Sequence, residues 1–300
     1  MRFAAVAEAA GALQHLCSGA VWSEGPVWMH EDDSVLWSDI PNNRMLRWDA
    51  RSGMTVWRDR VEFTNGHARE ADGALLHCSH GLRAIVRTRF DDQMRPLPDE
   101  VVVDCYQGRR LNSPNDIVVK SDGTIWFTDP PYGIVSDVEG HLADSEIGGH
   151  HVYRHDPCNG SVRLVSDWLE DPNGLAFSPD ESVLYVSDTS GARPTSTHHH
   201  HHIVAFDVVG GGDLANPRVF AVVGPGLPDG FKVDAHGFLY TSSEDAVQVY
   251  HPDGTRIGRI PVPEKIGNLT FGGPLRDTLY ICASTSLYRL RLGTRGLQTP

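Results

Sequence analysis

Apolar side chains in this chain come in short runs, each broken by Gly, Pro, Asn, Asp or Ser, a pattern that predicts strands joined by tight turns and leaves no room for long helices. The runs come in pairs. Asn65 opens one that reaches Asp72-Gly73 and resumes at Ala74-Leu-Leu-His; Asn115 opens another that reaches Asp122-Gly123 and resumes at Thr124-Ile-Trp-Phe. Each reads as strand, hairpin turn, strand. Asn173 with Val183-Leu-Tyr-Val-Ser-Asp188, and Asp229 with Phe238-Leu-Tyr-Thr, repeat the unit. Looser copies start at Glu24 and Asn268, which makes six.

A further strand-like segment follows every hairpin: Arg44-Met-Leu-Arg-Trp-Asp, Ala84-Ile-Val-Arg-Thr, His151-Val-Tyr-Arg-His-Asp, Ile203-Val-Ala-Phe-Asp, Val247-Gln-Val-Tyr-His and Leu287-Tyr-Arg-Leu. Each unit then holds three or four antiparallel strands. The unit starts are 41, 50, 58, 56 and 39 residues apart, the spacing of small sheets repeated around an axis. The expectation is an all-β, six-bladed β-propeller formed as one domain over residues 1–300, with residues 1–17 outside the clear repeats. A large β-sandwich would also supply strands and turns, but it gives no reason for the same kind of polar residue to recur where each unit begins.

In a propeller those positions converge on the axis. Glu24, Asn65, Asn115, Asn173, Asp229 and Asn268 form a ring of two carboxylates and four amides, every one offering oxygen. Any single Asn or Asp there could simply cap a turn. Six together, one of them a Glu, suit a hard divalent cation on the axis.

Composition narrows the partners. Of 300 residues, 40% are hydrophobic and 22% charged, enough for a sizeable core. The 26 Lys plus Arg against 39 Asp plus Glu give a net charge of −13, which repels phosphate backbones and argues against nucleic acid. Five scattered cysteines without a C-x-x-C pair do not make a disulfide framework. The apolar run at Met1–Val6 stops at Glu8, short of a signal peptide, and no stretch reaches membrane-spanning length; both point to a cytoplasmic protein without a membrane partner. A closed ring leaves no sheet edge that must pair, so a monomer is expected. The chain has no G-x-S-x-G, H-E-x-x-H, P-loop or dinucleotide-binding glycine motif.

In order along the chain stand Ser23-Glu24-Gly25-Pro26, Leu111-Asn-Ser-Pro-Asn115-Asp, Trp126-Phe-Thr-Asp-Pro-Pro-Tyr-Gly133, Asn173-Gly-Leu-Ala-Phe-Ser-Pro-Asp180 and Pro228-Asp229-Gly. This series resembles the gluconolactonase branch of the senescence-marker-protein (regucalcin) family, over about residues 18–291. The resemblance implies one divalent metal (Ca²⁺, Mn²⁺, Mg²⁺, Zn²⁺ or Fe²⁺) held by Glu24, Asn115, Asn173 and Asp229, and a sugar-derived lactone as the small-molecule substrate. Asn112 and Arg110 are its expected contacts to sugar hydroxyls, with Asn65, His67 and Asn268 lining the cavity. Ring opening needs a proton acceptor beside the attacking water, and Asp229 can fill that role where an amide cannot. Two other functions fit the same resemblance: a calcium-binding regulatory protein without catalysis, and a hydrolase of other esters or phosphotriesters. The five histidines His198–His202 are expected to be a solvated loop of blade four that binds metal only adventitiously.

Overall fold

In the computed structural model, which describes residues 11–297, six four-stranded antiparallel sheets account for nearly all regular structure. Blade one runs outward from the axis as Ser23–Met29, Ser34–Asp39, Arg44–Asp49 and Gly53–Asp59. Blade two is Thr64–Arg69, Leu75–Ser79, Ala84–Thr88 and Glu100–Val103. Blade three is Ile117–Val119, Ile125–Asp129, His151–Asp156 and Ser161–Ser166. Blade four is Pro172–Phe177, Val183–Asp188, His202–Val209 and Asp213–Val222. Blade five is Phe231–Val233, Leu239–Thr241, Ala246–Tyr250 and Arg256–Pro261. Each first strand touches the first strand of the next blade, and the sixth returns to the first, so the ring closes.

Blade six takes three strands from the end of the chain, Ile266–Gly272, Thr278–Ala283 and Ser286–Arg291, and its outer strand from the beginning, Gln14–Ser18. Part of the segment expected to lie outside the repeats is therefore an integral strand. Residues 1–10, on which the expectation about a leader rests, lie outside the described residues.

Burial follows position in the blade. The inner strand Ile266–Gly272 and the second strand Ser34–Asp39 are buried throughout, whereas the outer strand Gly53–Asp59 is half exposed. The core consists of the layers between neighbouring sheets. Trp126, Val152, Leu175, Phe177, Val186 and Phe206 fill one such layer, with Trp126 meeting Phe177 edge-on at 5.4 Å. Each such side chain removed from water contributes about 1.5–3 kcal/mol.

Near the axis the backbones themselves touch. Gly66 N–H donates to Asn115 O at 2.8 Å, Gly174 N–H to Asp229 O at 3.1 Å, and Gly230 N–H to Gly267 O at 2.8 Å. Second-strand hydroxyls add to this seam: Ser38 Oγ donates to Asn65 O at 2.9 Å and Thr128 Oγ1 to Asn173 O at 2.7 Å. A Cβ on Gly174 would stand 2.4 Å from Asp229 O, and one on Gly230 2.0 Å from the Asn268 side chain. Because a backbone carbonyl cannot swing aside as a flexible side chain can, Gly174→Ala should destabilise the protein by about 3 kcal/mol. A melting temperature lowered by several degrees is the expected result, and an unchanged one would contradict this account of the seam.

Candidate functional site

All six ring residues lie within two positions of the start of an inner strand, Asn115 and Asp229 just before it and the other four just inside it, so they share one face of the propeller. Glu24, Asn65, Asn115, Asn173 and Asn268 are buried, while Asp229 keeps partial exposure. Their polar atoms are unequally engaged. Asn268 Oδ1 accepts the Leu269 N–H at 2.8 Å, and its Nδ2 donates to Asp116 Oδ2 at 3.4 Å. Asn173 Nδ2 donates to Thr189 Oγ1 at 3.1 Å, and its amide lies beside the Asp229 carboxyl. Glu24 Oε2 accepts the Gly25 N–H at 2.9 Å, but Oε1 is buried without a hydrogen-bond partner among the described residues.

Three carboxyls crowd this face. Burial pushes Glu24 well above the usual carboxylate range, and the charges of Asp229 and Asp116 push it further. Burial likewise raises Asp229 to about 7, where Lys265 opposes the shift and Glu139 and Asp116 add to it. Asp116 is raised by burial and partly relieved by Lys232. A cluster of oxygens that resists ionisation on its own, with a buried carboxylate oxygen left unpaired, fits a cation better than an empty cavity. The donor set, carboxylate and amide oxygen alone, suits a hard divalent ion. Sequence reasoning missed Asp116, Glu139 and Lys265, because only the folded ring brings them beside Asp229.

Loops joining second to third strands build the walls. The long loop of blade three carries Tyr132, whose hydroxyl meets Thr189 Oγ1 at 2.7 Å, and Glu139, whose carbonyl accepts from His80 Nδ1 at 2.8 Å. Asn112, expected to reach substrate, is fully buried and its amide is committed: Nδ2 donates to Asp129 O and Gly149 O, and Oδ1 accepts from Ser145 Oγ. It fastens a loop. Arg110 is exposed on a two-stranded ribbon, where its backbone N–H donates to Glu146 and its guanidinium to Leu82 O. His67 Nδ1 donates to Gly25 O, and its ring lines a second cavity further along the inner strands.

That cavity, about 810 Å³, is lined by the inner strands and by the hairpin turns that follow them, such as Asp33, Ser121 and Asp180. Val27, Leu175, Phe177, Val233 and Phe271 give it a largely apolar wall. Nothing in the sequence pattern pointed to it, since its apolar lining comes from residues that also pack between the blades.

The six-bladed ring, with carboxylate and amide oxygens gathered at one face of its axis, defines a β-propeller with an axial polar site. Residues 22–285 match the family described as SMP-30/Gluconolactonase/LRE-like region, and the chain belongs to that family. It is similar to the gluconolactonase of Zymomonas mobilis, at 32% identity over 98% of this chain and 85% of that one. It also resembles the pentonolactonase of Haloferax volcanii, at 29% identity over 86% of this chain and 80% of that one. Among solved structures, a gluconolactonase from Xanthomonas campestris superposes with a TM-score of 0.87 at 41% identity, covering 97% of this chain and 92% of that one. A calcium-binding regucalcin from Agrobacterium tumefaciens shares the fold at a TM-score of 0.74, 19% identity and 95% coverage of both chains. Among the described residues no helix is long and apolar enough to cross a membrane.

His80 supplies a pH test of the wall. Its Nδ1 donates to Glu139 O, so its Nε2 is left to accept from Asn65 Nδ2 at 3.2 Å. A second ring proton would face that donor, and burial lowers the group to about 4. The folded state then binds fewer protons than the unfolded state between about pH 6.5 and 4. The stability contributed by neutral His80 is complete above that window and is lost as pH falls through it. Melting curves of His80→Gln should therefore decline less steeply than wild type from pH 6.5 to 4.5; parallel curves would contradict the assignment.

Proposed function

We propose that this chain hydrolyses a sugar-derived aldonolactone to its aldonic acid, using one divalent cation held by Glu24, Asn115, Asn173 and Asp229. The observation that carries the metal set is the buried Glu24 Oε1, without a hydrogen-bond partner among the described residues, on a carboxyl that Asp229 and Asp116 raise further. Bound there, the cation supplies Lewis-acid polarisation of the lactone carbonyl. The relatives named for gluconolactone and pentonolactone hydrolysis support the reaction class.

Asp229 receives a proton as water attacks the carbonyl carbon. Asp229 is the carboxyl of the ring with partial exposure, which leaves it open to water, and the cation beside it would keep it ionised and able to accept a proton. The new C–O bond forms as the carbonyl π pair moves onto its oxygen; the carbonyl then re-forms as the ring C–O bond breaks, and the proton taken by Asp229 passes to the departing ring oxygen. Lys265, close enough to Asp229 to stabilise its charge, offers a positive field for the carboxylate product. The polar surroundings, with His80, Tyr132, Glu139 and Thr189, favour a polyhydroxy substrate over an aryl ester.

Metal-stripped protein should show acid release from glucono- or xylonolactone no faster than background, and re-addition of Ca²⁺, Mn²⁺, Mg²⁺, Zn²⁺ or Fe²⁺ should restore it. Full turnover after verified stripping would refute the reading, and a panel of five- and six-carbon lactones would set the substrate.

Two variants separate the roles of ligand and base. Asp229→Asn at saturating metal should remain slower by about 10² to 10⁴, the usual worth of a general base. Asn173→Ala should instead lose metal affinity and recover much of its rate when metal is raised. If Asp229→Asn turned over at nearly the wild-type rate, the base would have to be another group.

A further inference from the structure

Of the histidine run expected to be a solvated loop, His198, His199 and His201 are exposed, but His202 opens a strand of blade four and His200 is held beside it. Asp188 closes the second strand of blade four and stands directly opposite His202, the first residue of the third strand. The loop between them returns His200 to the same place, with Nδ1 3.2 Å from Asp188 Oδ2. The imidazoles of His200 and His202 stack at 4.4 Å between centroids. One ligand atom from each of the three residues falls within a sphere where all lie less than 4.8 Å apart.

These orientations are fixed by the surroundings. Asp188 is fully buried; its Oδ1 accepts from Ser190 N–H at 3.0 Å and its Oδ2 from Glu170 N–H at 2.8 Å. His200 N–H donates to Ser190 Oγ at 2.8 Å, and the His200 carbonyl accepts from Gly191 N–H at 2.9 Å. His201 turns away, donating from Nδ1 to Val223 O at 2.6 Å. His202 Nε2 is buried and has no hydrogen-bond partner among the described residues.

We infer that Asp188, His200 and His202 form a binding site for a divalent transition metal, zinc foremost, separate from the axial oxygen ring. Two imidazoles and one carboxylate make a borderline-soft donor set that selects zinc, nickel, cobalt or copper over calcium and magnesium. A zinc ion about 2.0–2.2 Å from each ligand sets tetrahedral ligand atoms roughly 3.3 Å apart, close to the Asp188–His200 separation. The ion would take the place of the His200 proton on Asp188, while the backbone donors around Asp188 orient its carboxylate as outer partners. Bound metal would pin residues 189–201 to the sheet. Thr189, the next residue after Asp188, receives the Asn173 amide, so the pin would act one contact away from the axial ring.

The test is zinc titration of metal-stripped, full-length protein by calorimetry, alongside quenching of Trp168 fluorescence by Ni²⁺, since that indole lies 6.4 Å from the His202 ring. Wild type should bind one zinc that Asp229→Asn retains. His202→Phe, which preserves the stack, should weaken that zinc at least tenfold and abolish the quenching, and His200→Phe should do the same. The triple variant His198→Ala/His199→Ala/His201→Ala should keep both signals. Loss in the triple variant with retention in His202→Phe would overturn the site in favour of loop chelation. Absence of any zinc beyond the one removed by Asp229→Asn would overturn it too.

Discussion

Six inner strands that converge on one axis must approach until their backbones touch, and this constraint orders everything around it. It requires a residue without a side chain beside the axial polar group, as at Gly174 and Gly230. In return, amides and carbonyls of adjacent blades satisfy one another across the seam, where water is largely excluded. The polar groups that face the axis are held by the same backbone that closes the ring. Their positions are therefore as rigid as the sheet.

Rigidity allows a charge arrangement that would relax in a looser scaffold. Glu24, Asp116 and Asp229 are kept near one another at the expense of their ionisation. In the proposed site, a cation would offset strain of this kind without movement, so its binding and the proton affinity of Asp229 would belong to one electrostatic unit. The walls are a separate layer. Loops such as that carrying Tyr132 and Glu139 can vary in length without disturbing the seam, so in the proposed function substrate preference would be set apart from ion binding.

The inner, second and third strands were legible because each carries a repeated signature, an axial polar residue, a hairpin turn and a buried apolar run. Outer strands carry none of these. Gly53–Asp59 is half exposed and mixes apolar with charged residues, and Asp213–Val222 contains Pro217, so neither stands out from a loop. Gln14–Ser18 was illegible for another reason, because its pairing partner lies at the far end of the chain. The ring residues could be read from repeat position, but the commitment of Asn112 to loop carbonyls could not, since those carbonyls come from distant turns. Likewise, the ordered imidazoles of His200 and His202 depend on Asp188, which the hairpin of blade four brings opposite them.

The strand Gln14–Ser18 also sets a temporal order. Ser18 Oγ meets Ser286 Oγ at 2.8 Å across a sequence separation of 268 residues, among the most distant contacts in the chain. During synthesis the earliest strand has no partner until almost the last has left the ribosome, and closing so long a loop carries an entropic cost that nearer contacts do not. Until that pairing forms, blade six lacks its outer strand. The residues that ring the axis come from both sides of that closure, Glu24 from the first blade and Asn268 from the last, so their final spacing is set only when the circle shuts.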